Sequence, residues 1–554
     1  MMTKFKTVGV MLDCSRNAVM TLPELKRFMT VLARMGYNQL QLYMEDTYEV
    51  EEEPYFGHFR GRYTQAELKE ADDFAYSLGI ELVPCVQTLA HFNQLVKWPM
   101  YQKMTDDADV LMVGEERTYE FIEHLVAALR KCFRTNRIHI GMDEAHRLGK
   151  GKYREKHGER DRSTILLEHL NRVCEITRKY HFKPQMWSDM FYRIANGGSY
   201  YGKAVTFAPD IKAMIPEDVS LVYWDYYHSD KKTYTQMLRG HKQLCDRVVF
   251  AGGAWKWSGF APHNEFSLRT TKAALAACCE EGVDEIMLTM WGDNGAEASP
   301  WSVLPTLCYA ACVAQGITVM ADVKAKFEEW VGCRFDDFML LDLPDRLVRS
   351  KHIQNPSKYQ LYNDCLMGIM DSARCGNEKQ QYTSFARRLN NAAKRCGEYA
   401  YLFDTAAKLC SLLAIKADIG VRTRKAYGDR EAMKTVLADY KKMIKRTETF
   451  YLAFREQWYK ESKPQGFDVH ELRLGGLLLR MKSARERLEA YCAGKVDVIP
   501  ELEERALAFP YGLYNVENDT FGECDLSVEE DRLYEGLGIA SYNHWLGTAT
   551  ANLI

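Results

Sequence analysis

Asp143 and Glu144 stand side by side at the end of Arg-Ile-His-Ile-Gly-Met-Asp-Glu, residues 137–144, just before a Gly/Lys-rich loop. The alternation of apolar residues predicts a short strand that delivers both carboxylates at its C-terminal end. Carboxylates so placed can do acid–base work, and their partners are to be sought at the ends of other strands. Those ends offer Asp13 with Arg16, Glu45 with Asp46, His91, Trp187 with Asp189, and Trp224 with Asp225 to Tyr227. Further along come Trp255 with Trp257, and Trp291 with Asp293, Asn294 and Glu297. Five of the ten Trp residues fall just after a predicted strand, more than core packing alone explains. A ring of Trp, Tyr and carboxylates suits a sugar, whose C–H faces stack on aromatic rings and whose hydroxyls need bidentate acceptors and charged donors.

Carboxylate chemistry on a sugar is glycoside hydrolysis. The usual scheme sets two carboxylates on opposite sides of the scissile bond, about 5–5.5 Å or 6.5–9.5 Å apart. Neighbours on a strand point to opposite faces, so Asp143 and Glu144 make a poor pair of that kind. In the substrate-assisted alternative the 2-acetamido oxygen of an N-acetylhexosamine is the nucleophile. One residue then serves as acid/base and one carboxylate orients the amide, roles that adjacent residues at a strand-to-loop bend can fill.

The elements that must position these groups repeat over the first 320 residues. Strand-like runs fall at Thr7–Leu12, Gln39–Met44, Ile80–Gln87, Arg137–Met142, Lys183–Trp187, Ser220–Trp224, Arg247–Ala251 and Glu285–Met290. Helical spacing lies between most of them, as in Leu22–Met35, Gln65–Leu78, Arg117–Phe133, Thr164–Tyr180 and Glu265–Cys279. Eight such units predict an α/β fold, a (β/α)8 TIM barrel. A doubly wound sheet would show a glycine-rich phosphate turn after the first strand, and Leu12–Arg16 is not one. The interval Asn196–Asp218 is the weak place, with Gly197, Gly198 and Pro216 and no clear full helix. Beyond residue 320 strand-like runs give way to long amphipathic patterns, Asp404–Tyr427, Ala432–Tyr459 and Val469–Tyr491. The expected division is a catalytic barrel, 1–320, and a mainly α-helical C-terminal domain, 321–554. The Gly-, Asn-, Tyr- and Trp-rich stretch Phe509–Ile554 is expected to form an ordered cap.

In 554 residues, 73 basic side chains face 76 acidic ones without long blocks, so neither nucleic acid nor an anionic membrane is an expected partner. The start shows no signal-peptide pattern and the chain no apolar run of about 18 residues. Sixteen Cys without a CxxC array argue against a zinc site or a disulfide scaffold and for reduced thiols in a cytoplasm. No metal and no cofactor is expected.

His139, Gly141, Asp143 and Glu144 match the His-x-Gly-x-Asp-Glu acid motif of the family 20 β-N-acetylhexosaminidases. Gly9, Asp13 and Arg16 resemble that family's Gly-x-x-x-Asp-x-x-Arg opening. His91 and Trp291-Gly292-Asp293 resemble its third- and eighth-strand elements, and the order is kept across residues 5–300. Residues 466–489 are similar to the helical extension of a bacterial intracellular branch. The resemblance implies an exo-acting, retaining enzyme that removes terminal β-GlcNAc or β-GalNAc through an oxazolinium intermediate.

By carry-over, Glu144 is the acid/base and Asp143 holds the acetamide. Arg16 holds the 3- and 4-hydroxyls, and Trp187, Trp224 and Trp291 wall the acetamide methyl. Asp293 or Glu297 takes the 4- or 6-hydroxyl, and His91 orients the carboxylate pair. A Tyr must also donate to the acetamide carbonyl; between Tyr226 and Tyr227, the alternation of strand faces favours Tyr227. Trp255 and Trp257 are read as lid residues or as packing, and His139 as a packing and hydrogen-bonding residue. The family's seventh-strand Tyr-x-Asp is absent from Val248–Trp257, where Gly252-Gly253-Ala254-Trp255 stands, so sugar selectivity is open. A barrel starting within ten residues of the first Met implies the shorter intracellular architecture.

Two other classes are weighed against this reading, and a glycosidase with a different substrate is its nearest competitor. Retention of both Asp143 and Glu144 argues against the alternative of a non-catalytic carbohydrate-binding barrel. A barrel metallohydrolase would need His-x-His on the first strand, and Met11-Leu12-Asp13-Cys14 offers none. The partner is then an N-acetylhexosamine-terminated glycan, and whether a second copy of the chain completes the site is left open.

Overall fold

A computed structural model describes residues 5–201, 206–207, 209–347, 355–371, 374, 376–507, 514–515 and 520–521. Its centre is a closed barrel of eight parallel strands: β1 (Thr7–Asp13), β2 (Gln39–Tyr43), β3 (Glu81–Cys85), β4 (Arg137–His139), β5 (Lys183–Trp187), β6 (Ser220–Trp224), β7 (Val248–Gly253) and β8 (Glu285–Met290). Each pairs with its neighbours in sequence, and β1 closes on β8 with Thr7 opposite Glu285 and Leu12 opposite Met290. The eight strand positions read from the sequence hold. The strands are buried nearly end to end because helices cover the outside, α1 (Leu22–Met35), α2 (Gln65–Ser77), α3 (Glu116–Cys132), α4 (Arg162–Lys179) and later ones. β3 and β4 share a single register pair, Cys85 with His139, and just beyond it Ile140 is held by its N–H to the Gln185 carbonyl at 2.8 Å and by the Thr88 hydroxyl donating to its carbonyl at 2.7 Å.

In the Asn196–Asp218 region the regular structure is short. α5 (Asp189–Ala195) ends just before it, and among the described residues it holds a six-residue turn of helix, Pro209–Met214. The following barrel helices are α6 (Lys231–Leu244), α7 (Asn264–Glu281) and α8 (Leu304–Ala314).

The rest of the described chain is helical: α9 (Met320–Val331), α10 (Pro356–Tyr362), α11 (Glu378–Ala393), α12 (Ala400–Lys416), α13 (Ile419–Ala426), α14 (Arg430–Glu461) and α15 (Phe467–Cys492). The continuous helix expected over Asp404–Tyr427 is instead two, broken around Ala417-Asp418. The buried Lys416 ammonium donates there to the carbonyls of Gln360 and Asn363, at 3.1 and 2.5 Å. The expectation for Phe509–Ile554 falls outside the described residues, apart from the two-residue strands Tyr514–Asn515 and Thr520–Phe521.

The helical region is joined to the barrel by buried polar contacts as well as apolar packing. Ser299 donates to Glu461 at 2.6 Å and Asn264 to Asp342 at 3.0 Å. Lys358 and Glu297 form an ion pair at 2.8 Å with both side chains out of solvent. Two α15 side chains reach the loop after β8: Arg473 donates to the Asn294 carbonyl at 2.5 Å, and the His470 ring meets the Gly295 carbonyl at 2.7 Å.

Candidate active site

The two carboxylates lie beyond the end of β4, in a bend that the sequence forces. Gly141, Met142 and Glu144 have φ of 70°, 70° and 51°, the left-handed region that side chains enter only under constraint. Gly141 has to be glycine: a Cβ would lie 2.1 Å from Gln87 Oε1 and 2.9 Å from the Val86 carbonyl. The bend is held by hydrogen bonds on each side. Met142 N–H donates to Gln87 Oε1 at 3.2 Å, Gly141 N–H to His139 Nδ1 at 3.1 Å, and Glu144 N–H to Asp189 Oδ2 at 3.1 Å.

Adjacency in the chain therefore gives the carboxylates separate environments. Asp143 is held from below. Gln87 donates to Oδ1 at 2.7 Å while also donating to the Tyr43 hydroxyl at 2.9 Å, and His91 Nε2 lies 3.0 Å from Oδ2. Burial opposes ionisation of Asp143, but the His91 charge and these hydrogen bonds outweigh it and hold the carboxyl below its ordinary range. Burial likewise works against the His91 charge, yet Asp143 raises the imidazole to about 10.

Glu144 is more open, its side chain 40% exposed against 13% for Asp143. Its Oε1 lies 3.3 Å from Arg193 Nη2 on α5, whose Nε donates to the buried Asp189 at 2.9 Å. Burial pushes Asp189 upward, and the nearby Asp143 adds to this. His139 is fully buried against Trp187, with ring centroids 4.4 Å apart, and burial lowers it to about 3. It is a neutral hydrogen-bond acceptor that shapes the bend.

Across the barrel mouth, Asp13 at the end of β1 accepts from the Ser15 N–H and the Gly292 N–H, each at 2.8 Å, tying β1 to the loop after β8. Arg16 pairs with Glu45 at 2.6 Å and stands 3.6 Å from Asp293, with Tyr43 donating to the same Glu45 oxygen at 2.9 Å. Burial raises Asp293 to about 6, against the pull of Arg16.

These groups line one cavity of about 540 Å³, open to solvent. It brings together Arg16, His91, Asp143, Glu144, Trp187, Trp224, Tyr226, Tyr227, Trp257, Trp291 and Asp293, with Tyr43 added. Two residues expected from the sequence stand outside it. Glu297 turns away into the helical region, where it meets Lys358 and, at 3.5 Å, Arg473. Trp255 donates its indole N–H to the Tyr226 carbonyl at 2.8 Å and stacks on Trp257 at 4.1 Å, a support behind the wall.

The argument that chose between Tyr226 and Tyr227 does not apply, because β6 ends at Trp224 and both rings reach the cavity. Tyr226 is buried beside Trp291, Thr289 and Asp143; Tyr227 is half exposed on the side of Glu144 and Asp293. Sequence reasoning missed Tyr43, Gln87 and Arg193. Tyr43 ends an apolar run and reads as core, and Gln87 carries no motif. Arg193 lies one helical turn after Asp189, an i, i+4 ion pair visible in the sequence once α5 is drawn. Donor atoms of His91, Asp143 and Glu144 lie within 4.8 Å of one another, a spacing a cation could use. The charge that Asp143 keeps on His91 works against such a ligand.

The family model described as glycosyl hydrolase family 20, catalytic domain, matches residues 5–245, and the glycoside hydrolase 20C C-terminal domain matches residues 336–518. Hexosaminidase D of Bos taurus is 23% identical over 241 residues, 41% of this chain and 63% of that protein. Hexosaminidase D of Homo sapiens is 23% identical over 333 residues, 54% of this chain and again 63% of the relative. The chain thus spans under two thirds of the length of the curated relatives it matches. Among solved structures, a GH20 exo β-N-acetylglucosaminidase from Vibrio harveyi in complex with N-acetylglucosamine is similar at a TM-score of 0.45. It shares 15% identity and covers 61% of this chain and 59% of its own. The N-acetyl-β-hexosaminidase of Streptomyces plicatus gives a TM-score of 0.43 at 17% identity, with 60% and 69% covered.

Proposed function

The chain belongs to glycoside hydrolase family 20, and from that premise we propose that it is an exo-acting, retaining β-N-acetylhexosaminidase working by substrate assistance. The observation that carries this reading is the unequal setting of two neighbouring carboxylates. Asp143 is kept ionised by His91 and Gln87, while Glu144 stands at the mouth of the same cavity with a half-open side chain.

The sugar's acetamide enters the aromatic end formed by Trp187, Trp224 and Trp291. Asp143 accepts its N–H and stabilises positive charge as the carbonyl oxygen attacks the anomeric carbon. Glu144 gives its proton to the departing glycosidic oxygen, and the C–O bond breaks as the oxazolinium ring closes. Glu144, now a carboxylate, takes a proton from water, which opens the ring at the anomeric carbon and restores both enzyme and acetamide with retained configuration. Burial beside Asp143 and Trp291 makes Tyr226, rather than Tyr227, the donor to the acetamide oxygen. Arg16 and Asp293 take the 3-, 4- and 6-hydroxyls, and Tyr227 faces the leaving group. No step needs a metal or a cofactor.

Residues 1–320 are read as the catalytic barrel and 321–554 as its helical support. Among the described residues every cysteine is a free thiol, which supports a cytoplasmic setting, and no helix is long and apolar enough to cross a membrane.

The test is release of p-nitrophenol from β-GlcNAc and β-GalNAc glycosides by wild type and by Glu144→Gln. An acid/base residue supplies about 10²–10⁴-fold, so near-normal turnover of the variant would sink the assignment. Inhibition by an N-acetylglucosamine thiazoline only at millimolar levels would count against the substrate as nucleophile.

A further inference from the structure

Gln87, just beyond β3, is a buried amide with both of its hydrogens committed. Its Nε2 donates to the Tyr43 hydroxyl at 2.9 Å and to Asp143 Oδ1 at 2.7 Å, and its Oε1 accepts the Met142 N–H at 3.2 Å. These contacts fix which end of the amide is nitrogen, since two oxygens face one end and an N–H faces the other.

The run continues past Tyr43. Its hydroxyl, accepting from Gln87, donates its own proton to Glu45 Oε1 at 2.9 Å, and Arg16 Nη1 donates to that same oxygen at 2.6 Å. An unbroken series of hydrogen bonds thus joins Arg16, on the cavity's hydroxyl side, to Asp143, on its acetamide side. One neutral amide stands between the two carboxylates Glu45 and Asp143 and serves both. Glu45 is itself held at φ 44°, a backbone constraint of the kind that gathers at functional sites. Tyr43 and Gln87 are each about 1% exposed, and in such a low-dielectric interior linked hydrogen bonds polarise one another. A sugar hydroxyl that engages Arg16 alters what Arg16 gives to Glu45. The change is carried through Tyr43 and Gln87 to the oxygen beside the acetamide.

Resting on the reading of Asp143 as the acetamide holder, we propose that Gln87 is a positioning residue coupling the two ends of the site, so that the sugar's 3- and 4-hydroxyls raise the rate of acetamide attack as well as affinity. Holding the bend through Met142 is a separate service of its Oε1 and makes a different prediction.

The test is Gln87→Glu, which keeps the shape and an oxygen for the Met142 N–H but exchanges the shared nitrogen for a second carboxylate oxygen. At about pH 5 the added carboxyl keeps a proton and still donates to Asp143; toward about pH 8 it loses that proton and repels Asp143. His91, His139, Glu45, Arg16 and Asp189 face this pair in both proteins, so the ratio of variant to wild type removes their titration. On p-nitrophenyl β-GlcNAc the kcat ratio is expected to fall by roughly 10–100-fold over that range. A ratio that does not change with pH overturns the proposal.

Tyr43→Phe gives an independent reading, since it removes the hydroxyl and keeps the ring against Trp291, 4.7 Å away. In wild type a 3-deoxy glycoside, which lacks a hydroxyl given to Arg16, should lose kcat as well as gain KM. In Tyr43→Phe the penalty should be confined to KM, and equal kcat penalties in the two enzymes overturn the coupling. A wild type that neither turns over the glycoside nor binds an N-acetylglucosamine thiazoline in calorimetry overturns the functional reading and this proposal with it. An active wild type beside a pH-indifferent Gln87→Glu overturns the proposal alone.

Discussion

Arg193 Nη2 stands 3.3 Å from Glu144 Oε1 while the same guanidinium donates through Nε to the buried Asp189 at 2.9 Å. Asp189 also accepts the Glu144 backbone N–H, so one short helix grips Glu144, the proposed acid/base residue, by main chain and side chain. Arg193→Gln is expected to lower kcat by about 10–100-fold, a loss of roughly 1.4–2.7 kcal/mol in transition-state stabilisation, with KM nearly unchanged. Steady-state kinetics on an activated aryl glycoside checks this, and a change confined to KM would contradict it.

The His91–Asp143 pair gives a pH signature. His91 is raised to about 10, so its charge is present at neutral pH and is lost as pH rises through about 10. In Asp143→Asn the raising influence goes while burial, which lowers the imidazole, stays. NMR titration of the ring should find its pKa displaced by at least two units toward acid in that variant, alongside a large loss of kcat.

Asp293 titrates in the opposite setting. Burial raises its carboxyl to about 6, and below that value it is protonated and a poorer acceptor for the sugar hydroxyls proposed to bind there. KM should climb as pH falls through about 6, with kcat moving less. Asp293→Asn should show a high KM with this pH dependence gone.

Gly141→Ala tests the bend. A side chain at positive φ costs about 1–2 kcal/mol, and the overlap with Gln87 Oε1 at 2.1 Å adds to it. Destabilisation of about 2–4 kcal/mol in urea unfolding is expected, with activity falling further than stability explains.

Lys358→Met would remove the nearer partner of the buried Glu297 and leave it Arg473 at 3.5 Å. Removing one member of a buried ion pair costs about 3–5 kcal/mol, and replacing both by apolar groups costs far less. Unfolding of Lys358→Met and of Lys358→Met with Glu297→Leu should show the double variant as the more stable one.

The barrel was legible because its signal is periodic: eight apolar runs of strand length alternate with helical spacing, and each run is a strand. The candidate site was legible where a residue's type is costly anywhere else, as with Asp143, Glu144, Arg16 and four of the five strand-end tryptophans. Tyr43 and Gln87 escaped because a tyrosine ending an apolar strand looks like core and a glutamine looks like surface. Only the fold shows that Gln87 bridges Tyr43 and Asp143. Glu297 was misplaced for a related reason. Four residues beyond Asp293, it follows Gly295 at φ 115° and Ala296 at φ 54°, and the reversal sends its carboxylate toward α10 and α15, which no local pattern announces.

The hold of Arg473 on the Asn294 carbonyl also orders events in time. Every group lining the cavity has been synthesised by Asp293, but the clamp on the following loop arrives 179 positions after Asn294. At about 5–20 residues per second of synthesis, that interval is roughly 9–36 s. A ribosome that stalls in it leaves a barrel with all its acids in place and the last loop unanchored.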